Sequence, residues 1–270
     1  MLDKFNNQNN CLIWIKKLKK TIDLSYEIIF YLINNHYNNL SEIMFLEQFQ
    51  IISIQSITIN ILAGFFIGSI ITIQIIKELL NFQAVKALGG LISIVFIREI
   101  SPIITAIIMT ARIGSAFTAE IGTMQITEQI DALYLLKTHP IKVLILPRLI
   151  ICTIILPFLM LISFITSMSA SIFISVIFYN IEVNTFLISI KNTITINDIL
   201  NSFIKSLIFG FLISIISCSW GITIKEGGSK EVSLSTTVSV VTNLILIFAI
   251  DLILSFLMYH TLENSFKKIL

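Results

Sequence analysis

Charged residues are scarce in this sequence, and their scarcity excludes most classes of soluble protein. Of its 270 residues, 56% are hydrophobic and only 13% are charged, and the mean hydropathy is +0.92. Soluble domains carry roughly 25% charged residues. The net charge is only +2, far from the basic surface that nucleic acid requires. The composition predicts an integral membrane protein that binds no nucleic acid.

The signatures of catalysis and of metal binding are also missing. The cysteines Cys11, Cys152 and Cys218 have no metal-site spacing, and we expect free thiols. There is no G-x-x-x-x-G-K-[S/T] phosphate loop and no H-E-x-x-H zinc motif. Ser115 has no evident base, so an intramembrane hydrolase has no support. We predict no catalytic residue, no metal site and no cofactor bound by this chain.

Glycine, proline and arginine are used sparingly, while Ile, Phe, Asn and Lys are frequent. That usage is typical of an AT-rich genome, such as that of a plastid or an endosymbiont. The N-terminal region has neither the uninterrupted apolar run and cleavage site of a signal peptide nor the Arg- and Ser-rich character of a transit peptide. Residues 1–50 instead predict a polar tail and an amphipathic helix at the membrane interface.

Long apolar runs predict five transmembrane helices within a domain of residues 51–262. The predicted spans lie at about 51–76, 91–110, 141–167, 199–224 and 234–259, and the third could extend towards residue 180. We expect a short turn at 81–90 and a surface helix at 185–191. Lysines and arginines are more numerous in the N-terminal tail and in the loops on the same side. That side is therefore predicted to be cytoplasmic, or stromal in a plastid.

The segment 111–136 lies between the second and third predicted spans and mixes small residues with carboxylates and amides. Gly114, Thr118 and Gly122 recur every four residues, which on a helix makes a face where another backbone can approach closely. The predicted topology places the whole segment 111–136 on the side of the compartment that holds ATP.

An apolar stripe follows in the same segment. Ile126, Ile130, Leu133 and Tyr134 fall at helical spacing, with polar residues off the stripe. The pattern predicts a short amphipathic helix that lies along the membrane surface or docks to a soluble partner. The alternative is a connecting helix with no partner.

Four ionisable residues fall inside predicted spans: Arg98, Glu99, Lys205 and Asp251. A lone charge at the bilayer centre costs at least about 2.5–3.5 kcal/mol, so we expect the three helices to meet and the charges to pair. Pro102 has no N–H for the Arg98 carbonyl, which leaves that carbonyl for another polar group. The cluster is either a functional site or structural glue between helices.

Two further charges, Asp198 and Lys77, lie near predicted span ends, and we expect them to reach the interface. Lys205 could do the same, since it lies near a helix start.

Three runs of sequence carry a resemblance to a known family. They are FIREISPIITAIIMTARIGSAFTAEIGTMQITEQIDALYLLKTHPIKVLILPRLI at 96–150, FFIGSIITIQ at 65–74, and GGSKEVSLSTTVSVV with FAIDLILSFLM within 227–258. They resemble the MlaE permeases, the membrane subunits of ABC transporters that act with MCE-domain lipid-binding proteins. The resemblance covers nearly the whole chain after the N-terminal helix.

The resemblance implies a homodimer of five-span subunits that carries phospholipid through a cavity between the two copies. A separate ATPase, which binds ATP and Mg, would dock on a cytoplasmic-side coupling helix, and an MCE-domain protein would sit on the opposite side. The implied ATPase-coupling residues are Glu120, Gly122, Thr123, Glu128, Gln129 and Asp131. The implied intramembrane polar cluster is Arg98, Glu99, Lys205 and Asp251. The implied lipid-cavity residues are Ile67, Ile71, Gln74 and Glu78, although the Lys77–Glu78 pair departs from the apolar family pattern.

These observations predict a non-catalytic permease that moves a glycerophospholipid between membranes, powered by the partner ATPase. We expect it in a plastid inner envelope membrane, with the N-terminus on the stromal side. A rival hypothesis is an ion- or proton-coupled secondary transporter that uses the four intramembrane charges. The absence of an inverted repeat in the hydropathy counts against it. A third hypothesis is a membrane scaffold that transports nothing.

Overall fold

The computed structural model describes residues 42–224 and 228–259, together with Lys19, Ile22, Asp23, Tyr26 and Glu27. Within those ranges the chain is helical and forms no strand. Five helical segments are long and apolar enough to cross a membrane: Ser56–Asn81, Val85–Ile126, Val143–Tyr179, Ile196–Ile222 and Gly228–Met258. The prediction of an all-α integral membrane protein with five spans is confirmed. The predicted interfacial helix lies largely outside the described residues.

The helices follow one another with short connections. In chain order they are α1 (Glu42–Asn81), α2 (Leu88–Val95), α3 (Ser101–Met109), α4 (Ser115–Ile126), α5 (Gln129–Leu135), α6 (Leu146–Tyr179), α7 (Val183–Thr193), α8 (Ile196–Ile222) and α9 (Gly228–Tyr259). The 3-10 turn Val85–Ala87 leads into α2, and the π-helical turns Phe96–Ile100 and Thr110–Gly114 join α2, α3 and α4. A third π-helical turn, Ile141–Ile145, precedes α6. The second span is therefore one helical segment of 42 residues.

The helix that contains the second span is longer than the predicted membrane crossing at about 91–110, which stays a prediction. It continues to Ile126, and along this extension Thr118 and Gly122 are buried while Glu120 is exposed. Its start also differs, since Gly89 and Gly90 lie inside α2 and do not end a turn. A Cβ on Gly89 would meet the Phe186 carbonyl, so the missing side chain lets α7 pack against the helix.

The chain divides into two compact units, which are described separately. Unit A contains Thr110–Cys152 and Phe211–Leu244. Unit B contains Ile52–Met109, Thr153–Gly210 and the chain from Ile245 onward. Several helices run through both units, because the boundaries fall within α6, α8 and α9.

In unit B, α1 and α6 pack closely through small and polar residues. Gly68 lies against the Ser167 backbone, and the Thr72 hydroxyl donates to Ser171 Oγ at 2.7 Å. The Asn60 side-chain amide donates to the Leu159 carbonyl at 2.6 Å. Helices in a lipid environment associate through such close backbone approach and hydrogen bonds, because apolar burial alone gives little preference for protein over lipid.

Substituting Gly68 with alanine is expected to destabilise the protein by about 1–3 kcal/mol, the usual cost of overpacking. The new Cβ would lie 2.6 Å from the Ser167 carbonyl oxygen, and a backbone atom cannot move aside cheaply. Thermal melting of the detergent-solubilised protein measures the effect. Gly114→Ala is the control, since its Cβ would approach side-chain atoms alone, the nearest being the Ser217 hydroxyl at 3.0 Å. Equal losses in the two variants would contradict the expectation.

Candidate functional site

Unit B contains a buried charge network centred on Lys205. The Lys205 side chain is fully buried, and its ammonium lies 2.9 Å from Glu99 Oε2, 3.0 Å from Asp251 Oδ1 and 2.7 Å from Ser255 Oγ. The Ser255 hydroxyl in turn lies 2.9 Å from Glu99 Oε1. Helices α8 and α9 and the π-helical turn of the second span supply these groups. Glu99, Lys205 and Asp251 therefore lie together, as expected. The alternative in which Lys205 extends to the membrane interface is wrong, because its side chain is fully buried.

Arg98 takes a different partner from the one that its neighbours share. Its Nε donates to Asp198 Oδ1 at 2.8 Å, and both side chains are buried. The other Asp198 oxygen accepts hydrogen bonds from the Thr195 backbone and hydroxyl at 3.0 and 2.8 Å. The expectation that Asp198 extends to the interface was therefore wrong. The Arg98 guanidinium beside it stabilises the buried carboxylate, because the attraction between the two ions offsets part of the cost of removing them from water.

Two backbone carbonyls complete the network, because they have no main-chain donor. The sequence predicts this for the Arg98 carbonyl, since Pro102 has no N–H. The Ser101 N–H bonds the Phe96 carbonyl in the π-helical turn, and Pro102 has no N–H. The carbonyls of Ile97 and Arg98 thus lack their usual donors. Side chains of α8 replace them: the Ser202 hydroxyl lies 2.6 Å from the Ile97 carbonyl, and the Lys205 ammonium lies 3.1 Å from the Arg98 carbonyl. The predicted polar partner for the Arg98 carbonyl is Lys205.

The network joins three carboxylates to two cations within unit B. Asp198, Ser202 and Lys205 fall at i, i+4 and i+7 of one helix, so they share a face of α8. Sequence reasoning missed Asp198 and Ser202, although this spacing was a signal that could have found them. Glu99 is the most accessible carboxylate, with 36% of its side chain exposed, whereas Asp251 is largely buried. The arrangement can hold a charged group beside Glu99 or lock the helices together.

In unit A, the segment 115–136 forms two helices joined by a tight turn. Glu128 adopts φ 56° between α4 and α5, so the chain changes direction there. Glu128, Gln129 and Asp131 are exposed, while Ile130 is 2% exposed and anchors α5. The predicted short amphipathic helix is present. In its predicted apolar stripe, Ile130 is buried and Tyr134 is 55% exposed. Contact of this stripe with the membrane surface or with a soluble partner stays a prediction.

Exposed apolar side chains follow at the C-terminal end of α5. Leu135 and Leu136 are 86% and 71% exposed. Together with the three polar residues at the start of α5 they form a surface that we call the α5 surface: Glu128, Gln129, Asp131, Leu135 and Leu136. A mixed acidic and apolar surface on one short helix is typical of a protein-binding site.

Glu120 and Gly122 are not part of the α5 surface, because Glu120 is paired with Arg148 and Gly122 is buried. Arg148 Nη2 donates to Glu120 Oε2 at 2.7 Å, and the Arg148 guanidinium lies 5.4 Å from the Phe117 ring centre. Gly122 is buried, and a Cβ there would lie 2.5 Å from Ile224 Cδ1. Glu120 thus links α4 to the start of α6, and Gly122 allows close packing. Thr123 is exposed and donates to the Glu120 carbonyl.

The small-residue face of α4 packs inside unit A, as its spacing predicts. Thr118 Oγ1 lies 3.0 Å from the Ser217 carbonyl and 2.9 Å from Ser239 Oγ. Gly114 lies against Ser217, whose Oγ accepts a hydrogen bond from the Asn243 amide at 3.0 Å. The second, fourth and fifth spans meet along this face.

The four predicted cavity residues divide into two pairs. Ile67 and Ile71 are partly buried and pack against the unit B core formed around Ile76 and Phe96. Gln74 and Glu78 are exposed. Lining of a lipid cavity by these residues stays a prediction.

Among the described residues, no group of His, Cys, Asp and Glu side chains is arranged to hold a metal ion. Cys152 and Cys218 are buried free thiols, in agreement with the expectation from their spacing.

Comparison with known proteins gives a consistent family assignment. The family model named Permease MlaE matches residues 45–257. The probable ABC transporter permease protein ycf63 of Pyropia yezoensis is 43% identical over 257 residues, which cover 94% of this chain and 95% of the relative. The probable ABC transporter permease protein slr1045 of Synechocystis is 38% identical over 254 residues, with the same coverage of each chain.

A plant protein is also similar. The chloroplastic protein TRIGALACTOSYLDIACYLGLYCEROL 1 of Arabidopsis thaliana is 40% identical over 223 residues, which cover 83% of this chain and 63% of the relative.

Proposed function

Because the chain belongs to the MlaE permease family and is an ABC transporter permease, we propose that it moves a glycerophospholipid between membranes. The observation that carries this proposal is the charge network around Lys205, built inside apolar spans with the Glu99 carboxylate accessible. Apolar spans can accommodate acyl chains, and a charged side chain that is partly exposed between the spans can contact a polar headgroup. The Arabidopsis relative bears the name of a lipid, which supports a lipid cargo.

The energy would come from a separate subunit. The sequence has no phosphate loop, so ATP and Mg would bind in a partner ATPase that docks on the α5 surface. The acidic side chains Glu128 and Asp131 predict a basic surface on that partner, with the exposed leucines in its apolar centre. A second copy of the chain would complete the cavity, and an MCE-domain protein would receive or deliver lipid on the opposite side.

Movement of α5 would reach the spans through the Glu120–Arg148 ion pair. Glu120 lies on α4, two turns before the turn at Glu128, and Arg148 lies in the first turn of α6. The pair connects the docking segment to the second and third spans. Glu120 and Arg148 would therefore transmit the motion of α5 without contacting the ATPase.

Glu120→Gln is expected to uncouple docking from transport. It keeps a hydrogen-bond acceptor but removes the charge, which weakens the bond to Arg148 by about 1 kcal/mol, less where water screens it. We expect ATPase co-purification unchanged within about twofold and lipid-stimulated ATP hydrolysis lowered by roughly fivefold. Glu231→Gln, the same change at an exposed glutamate of α9 outside the predicted coupling residues, is the control. Loss of co-purification in Glu120→Gln would instead place Glu120 in the docking surface.

Reconstitution tests the proposed function. The chain is purified from native membrane with its associated proteins, and transfer of a fluorescent phospholipid between vesicles is measured with and without ATP. We expect transfer only with the ATPase and ATP present. Transport by the chain alone that an uncoupler abolishes would support the rival secondary transporter. Absence of both transfer and lipid-stimulated ATP hydrolysis would support a scaffold.

We also propose a plastid inner envelope location with the N-terminus on the stromal side. The plastid and chloroplast relatives and the distribution of basic residues support this location. Protease protection of an N-terminal tag in intact, but not in ruptured, plastids is the expected result.

A further inference from the structure

A pocket with both polar and apolar lining lies in unit B, away from the charge network, between α7 and the turn that opens the second span. Its volume is about 500 Å³, within the range of small-ligand sites. Lys86 and Ala87 form one side, and α7 forms the other with side chains that include Ser189 and Asn192. No acidic side chain lines it. The pocket therefore has a formal charge of +1 and favours an anion.

Three hydrogen-bond donors of this pocket have no acceptor in the described part of the chain. The exposed Lys86 side chain forms no ion pair there, and the exposed Asn192 side-chain amide forms no hydrogen bond to the protein there. Ser189 Oγ accepts from the Gly90 backbone N–H at 2.9 Å, which orients the hydroxyl and leaves its own proton to donate. An ammonium, an amide and a hydroxyl around one cavity match the several acceptor oxygens of a phosphate group.

The position of the pocket favours a lipid as the source of that phosphate. Lys86 lies one residue after the start of the second span at Val85, and α7 connects the third span, which ends at Tyr179, to the fourth, which starts at Ile196. The pocket is thus at the depth where spans end and headgroups lie. Ile188 lines the pocket and is 60% exposed, so an apolar surface adjoins the polar one.

We propose that this pocket, which we call the Lys86 pocket, binds the phosphodiester of an anionic phospholipid at the membrane surface. A headgroup whose net charge is −1, such as phosphoglycerol, suits a pocket with one cation and no carboxylate. Phosphocholine suits it less, because its ammonium would find no acidic partner. This inference goes beyond the proposed function, since the pocket would bind lipid in a chain that transports nothing.

The test uses the full chain in detergent, titrated with dioctanoyl-phosphatidylglycerol, with dioctanoyl-phosphatidylcholine and with inorganic phosphate. We expect the wild type to bind phosphatidylglycerol roughly tenfold more tightly than phosphatidylcholine. Lys86→Gln is expected to remove most of that preference. Asn192→Ala, which removes a neutral donor to the phosphate common to both lipids, is expected to weaken the binding of both. Lys191→Gln, an exposed lysine on α7 outside the pocket, is expected to keep it. Melting temperatures check that all variants fold.

Two results would overturn the proposal. If Lys86→Gln and Lys191→Gln lose the same affinity for phosphatidylglycerol, the lysine acts only through general surface charge. If inorganic phosphate binds with Lys86 dependence while phosphatidylglycerol binds no better than phosphatidylcholine, the ligand is a soluble phosphate and not a lipid.

Discussion

Replacing Lys205 with methionine is expected to destabilise the folded protein by about 3–5 kcal/mol, the cost of removing one member of a buried ion pair. The ammonium is fully buried and lies within 3.0 Å of both Glu99 and Asp251. Without it the two carboxylates repel each other, and the Arg98 carbonyl loses its hydrogen bond. The loss is measured by thermal or denaturant unfolding in detergent, and Lys191→Met, at an exposed site on α7, is the control.

A neutral triple variant separates stability from function. Lys205→Met combined with Glu99→Gln and Asp251→Asn removes the cation and both carboxylates together. Replacing a complete buried charge group by uncharged residues is often neutral for stability, so we expect most of the melting temperature to return. If the charges meet the lipid headgroup, the triple variant folds but transfers no lipid. Normal lipid transfer in the folded triple variant would show that the network only holds the helices together.

Reversing two charges on the α5 surface is expected to abolish docking of the ATPase. Glu128→Lys with Asp131→Lys would place two cations where the structure exposes two carboxylates. Like charges opposed across an interface cost several kcal/mol, so about 3 kcal/mol corresponds to a loss of roughly 100-fold in affinity. The measurement is co-purification of the ATPase with the tagged chain, followed by the rate of ATP hydrolysis.

The matched control reverses an exposed negative charge next to α7, away from the α5 surface. Glu182 is exposed immediately before α7, and Glu182→Lys should leave co-purification unchanged. Ile130 anchors α5 and is not altered. The free energy of unfolding of the double variant should therefore lie within about 1 kcal/mol of the wild-type value, as is usual for surface substitutions. Full co-purification in the double variant would rule out the α5 surface as the docking site.

The spans could be predicted from the sequence because a membrane imposes a minimum apolar length. Hydropathy located five spans, but it did not show that the helix of the second continues to Ile126. The continuation was missed because Thr118 and Gly122 are polar or small and yet are buried between neighbouring helices. A hydropathy average cannot distinguish a residue facing water from one that donates a buried hydrogen bond, as Thr118 does to Ser239.

Four members of the charge network could be predicted, namely Arg98, Glu99, Lys205 and Asp251, but their pairing and the members Asp198 and Ser202 were missed. Charges inside spans must find partners, which pointed to Glu99, Lys205 and Asp251. The partner of Arg98 was missed because Asp198 lies within one turn of the start of α8, where a carboxylate would ordinarily reach water. Its burial depends on the Arg98 guanidinium from another helix, and only tertiary structure shows that contact.

A proline at position 102 makes the main chain itself a recognition element. The peptide oxygens of residues 97 and 98 have no main-chain donor and accept hydrogen bonds from side chains of the fourth span. Substituting the side chains at positions 97 and 98 would not remove these two acceptors. An alanine at 102 would restore a competing amide hydrogen for the second oxygen. To weaken the contact between the second and fourth spans, Pro102 should therefore be substituted before any of the charged residues around it.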